Sequence, residues 1–180
     1  MEVGFVMRRQ HRELQAAAEQ ELGEVLEFMR TIWALDHAVQ RTSKRMEREL
    51  GITGLQRLVI RVVGRFPSIP AGRLAELLHV HPSTLTGVIG RLEREGALRR
   101  RLDPTDKRRS LLGLTELGRA LDVETEGTIE AAIQCVLGRA DPKAIDSARS
   151  VLREITRMLD VRNSGGLVPT ADKARSQKPR

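Results

Sequence analysis

Apolar positions return every three or four residues along most of this 180-residue chain, and they mark a succession of helices. Over residues 12–50, Leu22, Val25, Met29, Ile32, Val39, Met46 and Leu50 largely keep that spacing with Arg and Glu between them. This predicts one long helix or two in series, with the residues before 20 adding a helical arm. Gly51 closes it, Thr53 caps a second helix over 54–65, and Pro67 stops that helix. A third helix starts near Pro70 and carries Ala71, Leu74, Ala75 and Leu78 on one face. After the short joint His79-Val80-His81, Pro82 opens a fourth helix that runs to about Glu95 and ends at Gly96.

The pattern then changes. Two short strands, 97–102 and 109–114, flank the turn DPTDK, and Thr115 caps a fifth helix of roughly 116–138. Asp141-Pro142 opens a sixth, with Ile145, Ala148, Val151, Leu152, Ile155 and Met158 as its stripe. From Asn163 onward the chain is polar and rich in Gly, Pro and Ser, which predicts a disordered basic tail over 163–180. Aromatic residues make up only 2 % and Tyr is absent, so the core must be aliphatic, and helices are favoured over an all-β sandwich. No apolar run approaches the roughly 18 residues of a membrane span, and MEVGFVMRRQHRE meets charge too early for a signal-peptide core. The single cysteine, Cys135, excludes an intrachain disulfide framework and suits a cytoplasmic location. It is expected as a small buried hydrophobe.

Charge becomes informative once it is located. Residues 53–115 hold 12 Lys/Arg against 5 Asp/Glu, which is the entire net charge of +7, while the remainder holds 19 of each. A polyanion is the natural partner of such a segment. Within it, a short helix, a three-residue joint and a second helix make a helix-turn-helix. Leu74, Leu78, Val80, Leu85 and Val88 close a small core, Ala75 allows close approach, and His79 stands where such turns often use Gly. His tolerates the left-handed conformation better than most residues. His79 and His81, spaced i, i+2 without other ligands nearby, do not make a metal site, and His81 is expected as an N-cap.

The fourth helix has two faces. Leu85, Val88, Ile89 and Leu92 fall at i, i+3, i+4 and i+7 and point inward. The other face presents Ser83, Thr86, Gly87, Gly90 and Arg94, with Thr84 and Arg91 at its margins. Two mid-helix glycines cost about 1 kcal/mol each relative to Ala. They are warranted if the backbone approaches base edges in a major groove, or else if another element packs closely there. The strands form a hairpin wing, anchored through Leu98, Leu102, Leu112 and Leu114. Arg99 and Arg101 lie on its other face, and Lys107, Arg108 and Arg109 cluster at its tip. Asp103-Pro104 and Asp106 shape the turn, and Asp106 can also orient a neighbouring guanidinium. An arginine on a thin tip suits a narrow minor groove.

The stretch RRRLDPTDKRRSLLGLTELGR resembles the wing of the MarR family of bacterial transcription regulators, in which a D-x-R-D-x-R-type turn leads to L-T-x-x-G. ITGLQ is similar to that family's L-T-x-x-Q helix start, and LAELLHVHPSTLTGVIGRLEREGALRR to its helix-turn-helix. The resemblance covers about residues 20–160. It implies a mainly α fold: a winged helix-turn-helix with N- and C-terminal dimerisation helices and a two-stranded β wing. It also implies an obligate homodimer on a palindromic double-stranded operator, and release of DNA by a small, often phenolic or aromatic, effector. By resemblance, Ser83, Thr84, Thr86 and Arg91 take groove-facing helix positions, and Asp106 and Arg108 wing-tip positions. Peroxide-sensing members carry a Cys near the start of the first long helix, which is lacking here.

Trp33, Asp36 and His37 sit midway along the first long helix, where a ligand pocket can form, although Trp33 is first of all expected in the core. The resulting division is a helical arm and dimerisation helix over 1–52, a DNA-binding region over 53–115, dimerisation helices over 116–162, and the tail. No phosphate-cradling loop, metal cluster or nucleophile–base pair stands out, so neither an enzyme nor a cofactor is expected. The expected function is a ligand-responsive, sequence-specific repressor. The alternative is a non-sensing or architectural binder of double-stranded DNA.

Overall fold

The computed structural model describes residues 3–104, 106 and 109–163, with side chains over 22–104, 106 and 109–160. Helix α1 spans Val3–Leu50 and is broken at Gly23 (φ 72°, ψ 157°), so it is two helices in series. Helix α2 (Gly54–Arg65) opens with a reciprocal capping box. Thr53 Oγ1 accepts the Gln56 amide at 3.2 Å, and Gln56 Oε1 accepts the Thr53 amide at 2.7 Å. This is what the ITGLQ motif does physically. The remaining elements are β1 (Ile69–Pro70), α3 (Ala71–Leu78), α4 (Pro82–Arg94), β2 (Leu98–Leu102), β3 (Ser110–Leu114), α5 (Glu116–Leu121), α6 (Ile129–Leu137) and α7 (Pro142–Asn163).

The sheet has three antiparallel strands in the order β1-β3-β2. The wing hairpin pairs Leu98 with Leu114 and Leu102 with Ser110. The edge strand β1 was not expected from sequence. Two residues are too few for a periodic signal, and it forms because Ser68 turns at φ 67° and donates its N–H to the Leu112 carbonyl at 3.0 Å. Pro70, which has no N–H, is tolerated on this edge.

The core joins α2, α3, α4 and the sheet through Val59, Ile60, Val63, Leu74, Leu85, Ile89, Leu92 and Leu112. Leu98, Leu112 and Leu114 are buried as wing anchors, but Leu102 is 66 % exposed. It lies beyond the reach of the core as the hairpin projects outward. The left-handed turn at His79 is present (φ 50°, ψ 40°), and His81 caps α4 by accepting the Ser83 amide on Nδ1 at 3.3 Å. Thr115 caps α5 by accepting the Gly118 amide at 3.1 Å. A Cβ at Gly118 would stand 2.1 Å from the Ala97 carbonyl, so only glycine lets α5 lie this close to the start of β2.

The expected fifth helix over 116–138 is in fact two, α5 and α6. Between them the chain turns at Gly127 (φ 73°), and the buried Thr128 caps the restart by accepting the Ala131 amide. Three arginines hold this connection. Arg45 of α1 donates to the Gly127 carbonyl at 2.6 Å. Arg57 of α2, only 3 % exposed, donates to the carbonyls of Leu121 and Val123 and pairs with Glu130 at 2.7 Å. Arg61 pairs with Asp122 at 2.6 Å, and Gly64 leaves room for that carboxylate.

The chain divides into two compact units between Ala132 and Ile133. Helix α5, placed by sequence with the dimerisation helices, therefore falls in the first unit. In the second unit Cys135 is exposed rather than buried, with its Sγ 2.6 Å from Arg139 Nη2. Among the described residues no helix is long and apolar enough to cross a membrane. The expected disorder of 163–180 falls almost wholly outside the described residues, which end at Asn163.

Replacing Arg57 with Met should cost about 2–4 kcal/mol, because two carbonyls and part of Glu130 lose their buried donor. Urea denaturation at fixed protein concentration checks this. An unfolding midpoint equal to the parent's would show that the guanidinium is dispensable to the fold.

Candidate nucleic-acid interface

Helix α4 is seated by Leu85, Ile89 and Leu92, all buried, with Val88 half-buried beside them. That leaves Ser83, Thr84, Thr86, Gly87, Arg91 and Arg94 exposed on its outer side, with Gly90 half-buried among them. A Cβ built on Gly87 or Gly90 would meet nothing within 4 Å. No described element packs there, so the close-packing explanation for these glycines has no support among the described residues. What remains is a strip of bare helix backbone flanked by hydroxyls.

The hydroxyls are pre-oriented. Thr86 Oγ1 donates to the Pro82 carbonyl at 2.8 Å, which leaves its lone pairs as outward acceptors for a base amino group. Ser83 Oγ lies 2.7 Å from His81 Nδ1. Arg91 is held differently from Arg94. Its Nε meets Glu95 at 2.8 Å and its Nη2 meets Glu47 of α1 at 3.1 Å. Donating hydrogen bonds to Glu95 and then to Glu47 raises the Arg91 pKa above its ordinary value. Glu95 also accepts from the capping-box Gln56 at 3.4 Å. Arg91 thus ties the recognition helix to α1 and α2, whereas Arg94 makes only a 3.3 Å contact to the Gly90 carbonyl of its own helix.

At the wing, the Arg109 amide donates to the Asp106 carbonyl at 2.8 Å, and the Asp103 amide to the Arg109 carbonyl at 3.0 Å. The Asp106 carboxylate lies 3.4 Å from Arg109 Nε. Thr105, Lys107 and Arg108 lie outside the described residues. Arg100 points back to Glu93 of α4 at 3.1 Å.

Not all of the basic segment faces outward. Arg57 and Arg61 are consumed by the α5–α6 connection, a role that sequence reading missed. Their i, i+4 spacing on an otherwise apolar helix was the available signal, since a buried charge implies a partner. Trp33, Asp36 and His37 share one side of α1 but stand exposed, with Trp33 at 64 %. The core placement expected for Trp33 does not hold within the protomer, because no described element covers this part of α1. Among the described residues no group of three or more His, Cys, Asp or Glu side chains could hold a metal ion.

A small-residue recognition face, a capped helix-turn-helix and a charged hairpin stand together in this order along the chain. The MarR family profile matches residues 52–110, which hold the recognition face, the helix-turn-helix and the hairpin as far as the start of β3. That segment is similar to the MarR family. The winged-helix fold and this match together support a DNA-binding transcriptional regulator, and members of the matched family are regulators and not enzymes.

Solved structures of the same fold cover most of the chain. MepR of S. aureus, determined with DNA, superposes with a TM-score of 0.61 at 17 % identity, covering 73 % of this chain and 97 % of that one. Sco3205 of Streptomyces coelicolor, a MarR family regulator also determined with DNA, gives 0.62 at 22 % identity over 76 % and 89 %. PcaV, a transcriptional regulator of the same species determined with its natural ligand, gives 0.59 at 25 % identity over 71 % and 89 %. No curated protein matches significantly.

The bare strip on α4 allows a test that separates folding from recognition. Gly87→Ala should stabilise the helix by up to about 1 kcal/mol. The same methyl should weaken operator binding by about 1–3 kcal/mol, the scale of one groove contact. Thermal melts and DNA titrations are run together. A stabilised variant that binds DNA like the parent would remove Gly87 from the interface.

Proposed function

We propose that this protein is a homodimeric repressor of the MarR type, which binds a palindromic operator and leaves it when a small aromatic or phenolic effector binds. The observation that carries the reading is the outer face of α4, where Ser83, Thr84, Thr86 and Gly87 stand exposed beside open space. Such a face lets the helix sit deep in a major groove. Thr86 and Ser83 are then base or phosphate partners, and Arg94 neutralises the backbone. Asp106 and Arg109 set the wing beside it, with Arg108 as the tip residue aimed at the adjacent minor groove. Arg91 joins the interface by exchanging its carboxylate partners for phosphate.

Dimerisation is supported by apolar side chains that a single chain leaves in water. Helix α1 exposes Val25, Leu26, Met29, Trp33 and Leu35, and α7 separately exposes Val151, Leu152, Met158 and Leu159. Helices of this kind bury such stripes against a partner. Residues 1–52 and 116–162 supply the dimer and 53–115 the DNA-binding region. Binding of a natural ligand by the similar PcaV supports effector control. Trp33, Asp36 and His37 are the candidate contacts on α1.

Sedimentation should show a dimer at micromolar concentration, with a thermal midpoint that rises with protein concentration. A folded monomer under those conditions would overturn the assembly. Footprinting upstream of the gene's own start should show one discrete palindromic site, and Thr86→Ala should relax base preference there by about 1–3 kcal/mol. Uniform protection without such a site would mark the protein as an architectural DNA binder instead.

A further inference from the structure

The first turn of α4 carries its hydroxyls in a fixed sense. His81, the residue before the helix, accepts the Ser83 amide on Nδ1 at 3.3 Å. A ring nitrogen that accepts an N–H bond carries no proton, so the proton of the neutral imidazole is on Nε2. Ser83 Oγ lies 2.7 Å from the same Nδ1. With Nδ1 an acceptor, that short contact is the Ser83 hydroxyl donating to the ring. Thr86 reaches the same state by another route, its Oγ1 donating to the Pro82 carbonyl at 2.8 Å. Each hydroxyl has one proton, and in both it is turned back into the protein. What each offers outward is lone pairs alone.

Ser83 and Thr86 stand three positions apart on one face of α4, about 4.5 Å along its axis, close to the roughly 3.4 Å rise of one base-pair step. Both are exposed, and Gly87 beside Thr86 adds no side chain of its own to hold the helix off. Thr84, also exposed, has no such bond among the described residues, so its hydroxyl serves either role. In the major groove adenine N6 and cytosine N4 are donors, whereas guanine N7 and O6 and thymine O4 are acceptors. An acceptor-only hydroxyl bonds the amino groups. It meets the keto groups with lone pair against lone pair, which leaves both unsatisfied. The locked hydroxyls therefore sort bases by functional group, amino against keto.

We infer that His81 is a positioning residue for operator readout: by holding the Ser83 proton it makes Ser83, together with Thr86, a reader of the amino bases adenine and cytosine. This rests on the proposed seating of α4 in a major groove, and it assigns base contacts rather than phosphate contacts to both hydroxyls. His81 acts through Ser83 and needs no base contact of its own.

The test is selection of binding sites from a randomised duplex pool by the full-length protein. Ser83→Ala marks the position that Ser83 contacts in each half-site, and Thr86→Val marks the other, as the places where base preference relaxes. At both, the parent should favour A or C over G or T by about fivefold to tenfold, with A and C close to equal. His81→Gly keeps a serviceable helix cap and releases the Ser83 proton. It should bring amino and keto bases level at the Ser83 position and leave the Thr86 position unchanged, whereas a merely structural defect would weaken both. Thermal melts confirm that each variant is folded. In the DNA-free parent, the imidazole nitrogen NMR signals in alkaline buffer should show Nδ1 as the unprotonated nitrogen of His81. The inference alone is overturned if the parent selects a discrete site without the amino preference at the marked positions, or if Ser83→Ala or Thr86→Val marks none. It is equally overturned if His81→Gly relaxes both positions or neither, or if Nδ1 carries the proton. A parent that selects no discrete site overturns the operator reading, and this inference with it.

Discussion

The seating of α4 in the core is the constraint on which the rest of the molecule depends. Leu85, Ile89 and Leu92 are buried against α2, α3 and the sheet, each worth about 1.5–3 kcal/mol relative to exposure. Because they repeat on one side of a 3.6-residue helix, burying them turns Ser83, Thr84, Thr86 and Gly87 outward with no further freedom. The ends are fixed separately. His81 caps the start, and the Arg91–Glu95–Glu47 contacts tie the last turn to α1. A recognition surface needs this rigidity, since a groove contact misplaced by an ångström is lost.

Guanidinium groups do two opposed kinds of work here. Arg45, Arg57 and Arg61 satisfy carbonyls and carboxylates at the connection between α5 and α6, so their charge is spent within the fold. Arg94, Arg99 and Arg101 reach solvent with no carboxylate partner among the described residues. The distinction is geometric. Arg57 lies on the side of α2 that also carries Ile60, whereas the free cations lie on the outer sides of α4 and the wing. A net charge concentrated in 53–115 is thus an upper bound on what a polyanion can feel.

The helices outside the winged region show the reverse imbalance, with apolar side chains left in water on α1 and on α7. Isolated exposed leucines are ordinary, but stripes on helices of this length are an association surface. The exposed Trp33 belongs with them. Its expected core contact is not made by any described part of the chain.

Local chemistry was readable directly from the residues. The capping box of Thr53 and Gln56, the left-handed His79, the His81 and Thr115 caps and the inward stripe of α4 all depend on neighbours within a few positions, which a sequence displays. The two glycines on α4 were legible as an anomaly, but only the packed structure showed the space around them to be open. Three features needed the tertiary structure because their partners are distant in the chain. Strand β1 exists through its pairing with Leu112, and the break between α5 and α6 follows from arginines some 60 to 80 positions earlier. Arg91 is bound through Glu47, 44 positions away. Sequence by itself determined most of the elements, their caps and the outward face of α4, because these are short-range consequences of periodicity and hydrogen bonding. Which charges are spent and which remain free was decided only by folding, because an ion pair depends on distance in space and not on distance along the chain.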